Sequence, residues 1–134
     1  MASYNKFNTF VADIANKSHN LGSDQLRIAL TNSAPSASDT SLQTEVSYTN
    51  LSGSNPTYIT TTSSSQSSGT YKLILSDLVL TATGSVGPFR YIELYNNTAS
   101  KVIGWYDYGS SISLANGDTF TIDFDGTNGV IQLA

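Results

Sequence analysis

The sequence predicts a mainly β domain: an antiparallel β-sandwich or barrel, jelly-roll-like, with one N-terminal amphipathic helix. Three observations lead there. From Leu26 onward apolar residues alternate at period two, the signature of half-buried strands. Turn dipeptides such as Gly87-Pro88 and Asn116-Gly117 interrupt the chain at short intervals. Between the strand candidates there is no helical segment of the kind that parallel strands need for their crossovers.

The elements follow in order. Phe7, Phe10, Val11, Ile14 and Ala15 fall at i, i+3, i+4, i+7 and i+8, which predicts a helix from about Ser3 to Asn20. Ser3 is its expected N-cap, and Asn20 to Gly22 its stop. Leu26, Ile28 and Leu30 mark the first strand, and Asn32 to Thr44 reads as a loop longer than the usual ~4–6 residues. Glu45 to Thr49 is a weak strand candidate. In Thr60–Thr70 nine of eleven residues are Ser or Thr, and the run Thr60-Thr61-Thr62 favours extended structure, so an edge strand and a mobile turn are expected. Six short strands are expected after it: Tyr71–Leu75, Leu78–Ala82, Phe89–Tyr95, Val102–Tyr108, Thr119–Asp125 and Val130–Leu133. Asn116-Gly117 matches a type I′ turn with positive φ at both central residues. In the last hairpin Phe120, Ile122 and Phe124 are expected to face inward. The chain of 134 residues fits a single domain, 1–134, with the helix in 1–21 and the sandwich in 24–134.

Composition narrows the function classes. With no cysteine there is no thiolate nucleophile, thiolate metal site or disulfide. The chain carries six Lys and Arg against ten Asp and Glu, a net charge of -4. Its cations, Lys6, Lys17, Arg27, Lys72, Arg90 and Lys101, are scattered singly, which excludes the clustered footprint of nucleic-acid binding. Met1–Lys6 shows no secretory signal and no apolar run approaches the ~20 residues of a membrane span, so a soluble protein made in a cytoplasm, without a membrane partner, is expected. Charged residues make up only 12% of the chain, and Ser, Thr and Asn supply its polarity. Such a surface loses little charge hydration when packed on protein.

Catalytic chemistry finds little to work with. His19 is the sole histidine, too few for a triad or a two-histidine metal site; near a helix end, its partial positive charge would be favourable. Asp123 to Gly129 invites a calcium reading, but position 6 is Asn128 and no acid stands at position 12, so a polar hairpin with solvated carboxylates is favoured. Whether Asp107 and Asp118 approach Asp123 is open. Glu93 and Asp107 could pair as glycosidase carboxylates, though acids on half-exposed strands more often serve solubility. There is no Gly-x-Ser-x-Gly elbow and no phosphate loop. The expectation is a non-enzyme without metal or cofactor. Trp105 and Asp107 share one strand face while Tyr106 and Tyr108 share the other, so part of this aromatic surface is expected to meet a partner.

Five stretches, Tyr4–Asp13, Leu26–Asn32, Gly87–Tyr91, Gly104–Gly109 and Asp118–Asp125, together resemble a family of small virion structural proteins from tailed bacteriophages. They bracket nearly the whole chain; residues 33–66 match least well. The resemblance implies a decoration, or cement, protein on the capsid exterior, with the major capsid protein as partner. It also implies a small homo-oligomer, a trimer being favoured. In that role the helix (Phe7, Phe10), the 32–44 loop (Pro35) and the Tyr106/Tyr108 face would supply contacts. The alternative is a tail- or fibre-associated carbohydrate-binding sandwich for host attachment, with Trp105 as platform.

Overall fold

The structure is a computed structural model that describes residues 2–134. Within them lie strands β1 (Ser3–Lys6), β2 (Leu26–Thr31), β3 (Tyr58–Ile59), β4 (Thr61–Ser67), β5 (Thr70–Leu75), β6 (Leu78–Thr81), β7 (Val86–Asn96), β8 (Lys101–Leu114), β9 (Thr119–Ile122) and β10 (Ile131–Leu133), and helix α1 (Asn8–Ala15). Every strand pair is antiparallel. A five-stranded sheet runs in the order β1-β8-β7-β2-β3, opposed by a three-stranded sheet β10-β5-β4 and a two-stranded sheet β6-β9. The fold is a β-sandwich with one N-terminal helix, as alternation and turns predict.

Period two explains the main core. Leu26, Ile28 and Leu30 of β2 and Ile92 and Leu94 of β7 point inward from the large sheet, onto Leu73 and Leu75 of β5, Leu80 of β6, and Ile122 and Ile131. Each buried aliphatic side chain contributes roughly 1.5–3 kcal/mol of transfer free energy. Phe89 meets Phe120 edge-on at 5.4 Å between ring centres. Phe124 and Ile122 are buried and Phe120 half-buried, while Thr119, Thr121, Asp123 and Asp125 are exposed, the alternation read from the sequence.

The N-terminus departs from expectation. Ser3–Lys6 is not helix; it is an edge strand in register with β8, Tyr4 opposite Tyr106 and Lys6 opposite Gly104. Inter-strand hydrogen bonds to β8 outweigh the helical spacing there, and the sheet, not the helix, owns these residues. Phe7 is the residue before the helix, with an extended φ of -74° and ψ of 140° and no side-chain cap. The expected Ser3 cap therefore plays no part. α1 is eight residues long, and Lys17 at φ 65° ends the helical run earlier than Asn20. Phe10 and Ile14 pack on the core, but Val11 stays 54% exposed and Ala15 is exposed, so the apolar stripe is narrower than its spacing suggested.

Other boundaries shift for physical reasons. Glu45–Thr49 forms no strand; Val46 only donates its N–H to the Leu30 carbonyl at 2.9 Å. β7 and β8 run longer than predicted because a long antiparallel pairing carries them through bulges. The Asn116-Gly117 turn has positive φ only at Gly117, not at both central residues, and it joins β8 to β9 across sheets, not within a hairpin. The expected edge strand at Thr60–Thr70 is β4, closed onto β5 by Ser68 and Gly69, both at positive φ. No helix among the described residues is long and apolar enough to cross a membrane.

Candidate functional site

Two surfaces of the five-stranded sheet differ in how the chain treats them. The first is its outer face, where Arg27, Ala29 and Thr31 of β2 stand beside Tyr91, Glu93 and Tyr95 of β7 and Trp105 of β8. In a simple sandwich this face would meet solvent. Here the segment after β2 folds over it. Ala37 and Leu42 pack with Tyr91 and Tyr95 around a second core of Phe7, Val102 and Trp105. Phe7 and Trp105 lie 4.7 Å apart between ring centres. Trp105 is 8% exposed and Phe7 fully buried.

Polar contacts pin this loop. Arg27 grips Glu45 with two hydrogen bonds, of 2.7 and 3.2 Å, and lies over the Tyr95 ring at 5.0 Å. Burial alone would raise the Glu45 carboxyl, but hydrogen bonds from Arg27 and Tyr48 hold it below its ordinary value. The Tyr48 hydroxyl, which donates to Glu45, also accepts the Leu30 N–H at 2.9 Å. Glu93 has no exposed surface, and its carboxyl accepts the backbone N–H of Gln43 at 3.1 Å. Burial pushes it up to about 7; the Gln43 N–H opposes the rise, and nearby Asp39 and Glu45 add to it.

The second surface is the open seam along β1, the outermost strand of the sheet. Tyr4 lies against Tyr106 at 5.2 Å, and Tyr106 against Phe124 at 6.2 Å. Gly104 makes this possible, because a Cβ there would meet the Asn5 carbonyl oxygen at 2.6 Å and the Tyr4 hydroxyl. On one side of Tyr4 a groove of about 320 Å³ runs between α1 and β10, walled by Val11, Ile14, Val130 and Leu133 with Lys6 at its rim. On the other side a cleft of about 240 Å³ is formed by Ala2, Tyr106, Tyr108, Phe120 and Ile122 with Asp123. Burial, aided by Asp125, pushes the Tyr106 hydroxyl up to about 12. Among the described residues six large apolar or aromatic side chains are exposed, and four of them, Tyr4, Val11, Tyr108 and Leu133, border this seam.

A third surface is polar. Ser63, Ser65 and Ser67 of β4, Thr70 and Lys72 of β5, and Asn128 and Gln132 line an open hollow of the three-stranded sheet with a single charge. β4 is that sheet's edge, and its seven residues, Thr61–Ser67, include no charge and no proline.

The expected contact residues are thus dispersed. Phe7 and Phe10 are both buried within the chain, in different cores, and present no surface to a partner. Their common helical face does not exist because Phe7 precedes the helix. Pro35 is half-buried on the covering loop, Tyr106 half-buried in the seam, and Tyr108 48% exposed. Trp105 cannot act as a sugar platform from beneath the loop. The Trp105 face is not left open for a partner, because a loop of the same chain builds a second core over it.

The carboxylates are also separated. Asp107 is bound by Arg90 at 2.9 and 3.2 Å and held below its usual range by that contact and the Gly109 N–H. Asp118 accepts the Ala115 N–H, and Asp125 caps Thr127 and Asn128, whose N–H groups lower its carboxyl. No group of three His, Cys, Asp or Glu side chains among the described residues could hold a metal ion. Glu93 and Asp107 face the same side of the sheet but have no cleft between them, because the loop covers Glu93.

His19 lies beyond α1 and is 8% exposed, not solvated at a helix end. Asn96 donates through Nδ2 to Asp24 at 2.7 Å and accepts the Ala99 N–H at 3.0 Å, which fixes its amide orientation. Nδ2 therefore also donates to His19 Nδ1 at 3.0 Å, placing the histidine proton on Nε2, which has no partner. Burial lowers the His19 pKa, Asp13 and Asp24 opposing.

Tyr4, Val11 and Leu133 escaped the sequence reading because Tyr4 and Val11 fell inside an expected helix face and Leu133 at a strand end. No protein-family model, curated protein or solved structure matches this chain.

Proposed function

We propose that this chain is a non-enzymatic virion structural protein of a tailed bacteriophage, a decoration protein that sits on the capsid exterior and stabilises the head through protein–protein contacts. The observation that carries the reading is β4. An exposed edge strand invites pairing with another chain, and folded proteins usually blunt such edges with charge or proline. β4 has neither along Thr61–Ser67; apart from one bulge near Thr62 it offers hydroxyls and a free backbone edge. Such a strand can join a capsid subunit by main-chain hydrogen bonds at little desolvation cost. Repetition over many identical sites on a shell would let weak contacts add. The resemblance of the five stretches to phage structural proteins supports the same role, as does a surface of net charge -4, which disfavours contact with packaged nucleic acid. The carbohydrate-binding alternative loses its platform with Trp105 buried.

The test is to make the particle with and without this chain. The expected result is that the chain bands with intact heads on a density gradient, and that heads lacking it release their nucleic acid at a lower temperature. Free protein at the top of the gradient, with unchanged heat resistance of the heads, would overturn the proposal.

A further inference from the structure

The seam along β1 has a property that goes beyond adhesiveness: it is complementary to itself. Large exposed apolar patches on a soluble domain mark binding sites, and here Tyr4, Val11, Tyr108 and Leu133 border one continuous strip. The strip is polarised. Lys6 is the one charged residue lining the groove at the α1–β10 end, and Asp123 the one charged residue lining the cleft at the Ala2–Tyr108 end. Tyr4 and Tyr106 stand between them. β1 itself is an edge strand whose four residues pair on one side only, with β8.

We infer that a second copy of this chain docks on this seam, the two β1 strands running antiparallel about a two-fold axis through Tyr4. Antiparallel self-pairing in that register puts Ala2 of one copy opposite Lys6 of the other, both on the face that carries Tyr4 and Tyr106. The Ala2 end of each strand then meets the Lys6 end of its mate, which brings each Asp123 cleft to a Lys6. One symmetric contact thus produces two opposite-charge pairs and covers the four exposed apolar side chains twice over, the economy that favours isologous dimers. Pairing two β1 edges would also join the five-stranded sheets of the two copies into one and remove both edges. A partner with a uniformly acidic or uniformly basic face would satisfy only half the strip; a second copy satisfies both halves.

The inference goes beyond the proposed function, gives a two-fold dimer in place of the trimer that the resemblance favours, and is independent of where the assembly sits. Its test is sedimentation of the purified full chain with Lys6→Glu, Asp123→Lys and the double variant, each first checked for native folding by circular dichroism. The wild type is expected at twice the 14.3 kDa chain mass. Each single reversal should raise the dimer dissociation constant roughly tenfold or more, since like charges then face each other. The double variant restores opposite signs and should recover most of the loss. A wild type that stays monomeric at hundreds of micromolar would overturn the inference and leave the seam to a different partner. So would single reversals without effect, or a double variant as weak as the singles. A monomer that still bands with heads would sink this dimer alone; a dimer that ignores heads would sink the decoration role alone.

Discussion

β8 presents aromatic rings to both sides of its sheet, Trp105 to one and Tyr106 and Tyr108 to the other, and the chain treats the two sides in opposite ways. On the outer side Trp105 is sealed under Ala37 and Leu42 of the 32–44 loop, with Phe7 inserted from the strand–helix junction. On the inner side Tyr106 lies half-buried against Phe124 and Tyr108 packs edge-on against Phe120, but both line an open cleft and Tyr108 stays 48% exposed. Neighbouring aromatic residues of similar size are therefore treated differently: one is sealed inside the monomer, the others border an open cleft that we propose serves association. Aromatic richness alone does not mark an interface; what covers the rings decides.

This contrast can be broken by mutation. Trp105→Ala or Phe7→Ala should cost about 3 kcal/mol or more of unfolding free energy, because each leaves a cavity in a small dry cluster. Tyr108→Ala should cost under about 1 kcal/mol, as expected for an exposed side chain. Urea denaturation read by circular dichroism separates the two; equal costs would mean that the seam is as structural as the sealed face. Gly104→Ala should destabilise by about 2 kcal/mol by forcing β1 from β8, since the added Cβ meets the Asn5 carbonyl. Unchanged protection of the β1 amides against hydrogen exchange in that variant would contradict the close approach.

The sealed face also has a pH signature that the seam lacks. The folded Glu93 carboxyl, at about 7, lies above the ordinary value of 4.5, so the native state holds this proton more tightly than the unfolded chain. Its contribution is fully present below pH 4.5 and is lost as pH rises through about 7. Glu93→Gln keeps an acceptor for the Gln43 N–H but cannot ionise, and should raise stability at pH 8 by about 2 kcal/mol relative to its effect at pH 4. Parallel pH profiles for wild type and variant would show that Glu93 is not buried as described.

His19 acts with the opposite sign. Its folded pKa lies below 6.5, so its contribution is present above pH 6.5 and is lost as pH falls through the folded value. Protonated Nδ1 could no longer accept from Asn96. His19→Gln should flatten the acid side of the stability profile, measured by thermal melts between pH 5 and 7. A steeper acid limb in the variant would refute this assignment.

Much of the sandwich was legible in the sequence because strand alternation is local. Phe120, Ile122 and Phe124 announce their inward face through the polar residues between them, and the Ser/Thr run announces an edge. The candidate surfaces were far less legible, because each depends on a distant segment. Tyr4 and Phe7 fit a helical spacing as well as Phe10 does; only the presence of β8, a hundred residues away, recruits Ser3–Lys6 as a strand. Trp105 reads as an exposed platform until the loop after β2 is seen to cross it. Glu93 carried a faint signal, an acid between Ile92 and Leu94 on a strand rich in aromatic residues, but its neighbours Asp39 and Glu45 come from the loop and not from the strand. The seam was hidden for the same reason: its members, from Ala2 to Leu133, are brought together by topology.

Trp105 is the chain's sole tryptophan, so its fluorescence reports on the sealed face without interference. At neutral pH the native protein should show blue-shifted emission that acrylamide quenches poorly, and both features should vanish together on unfolding in urea. A red-shifted, readily quenched emission from a chain that circular dichroism finds fully folded would contradict the account, since the loop would then leave that face open.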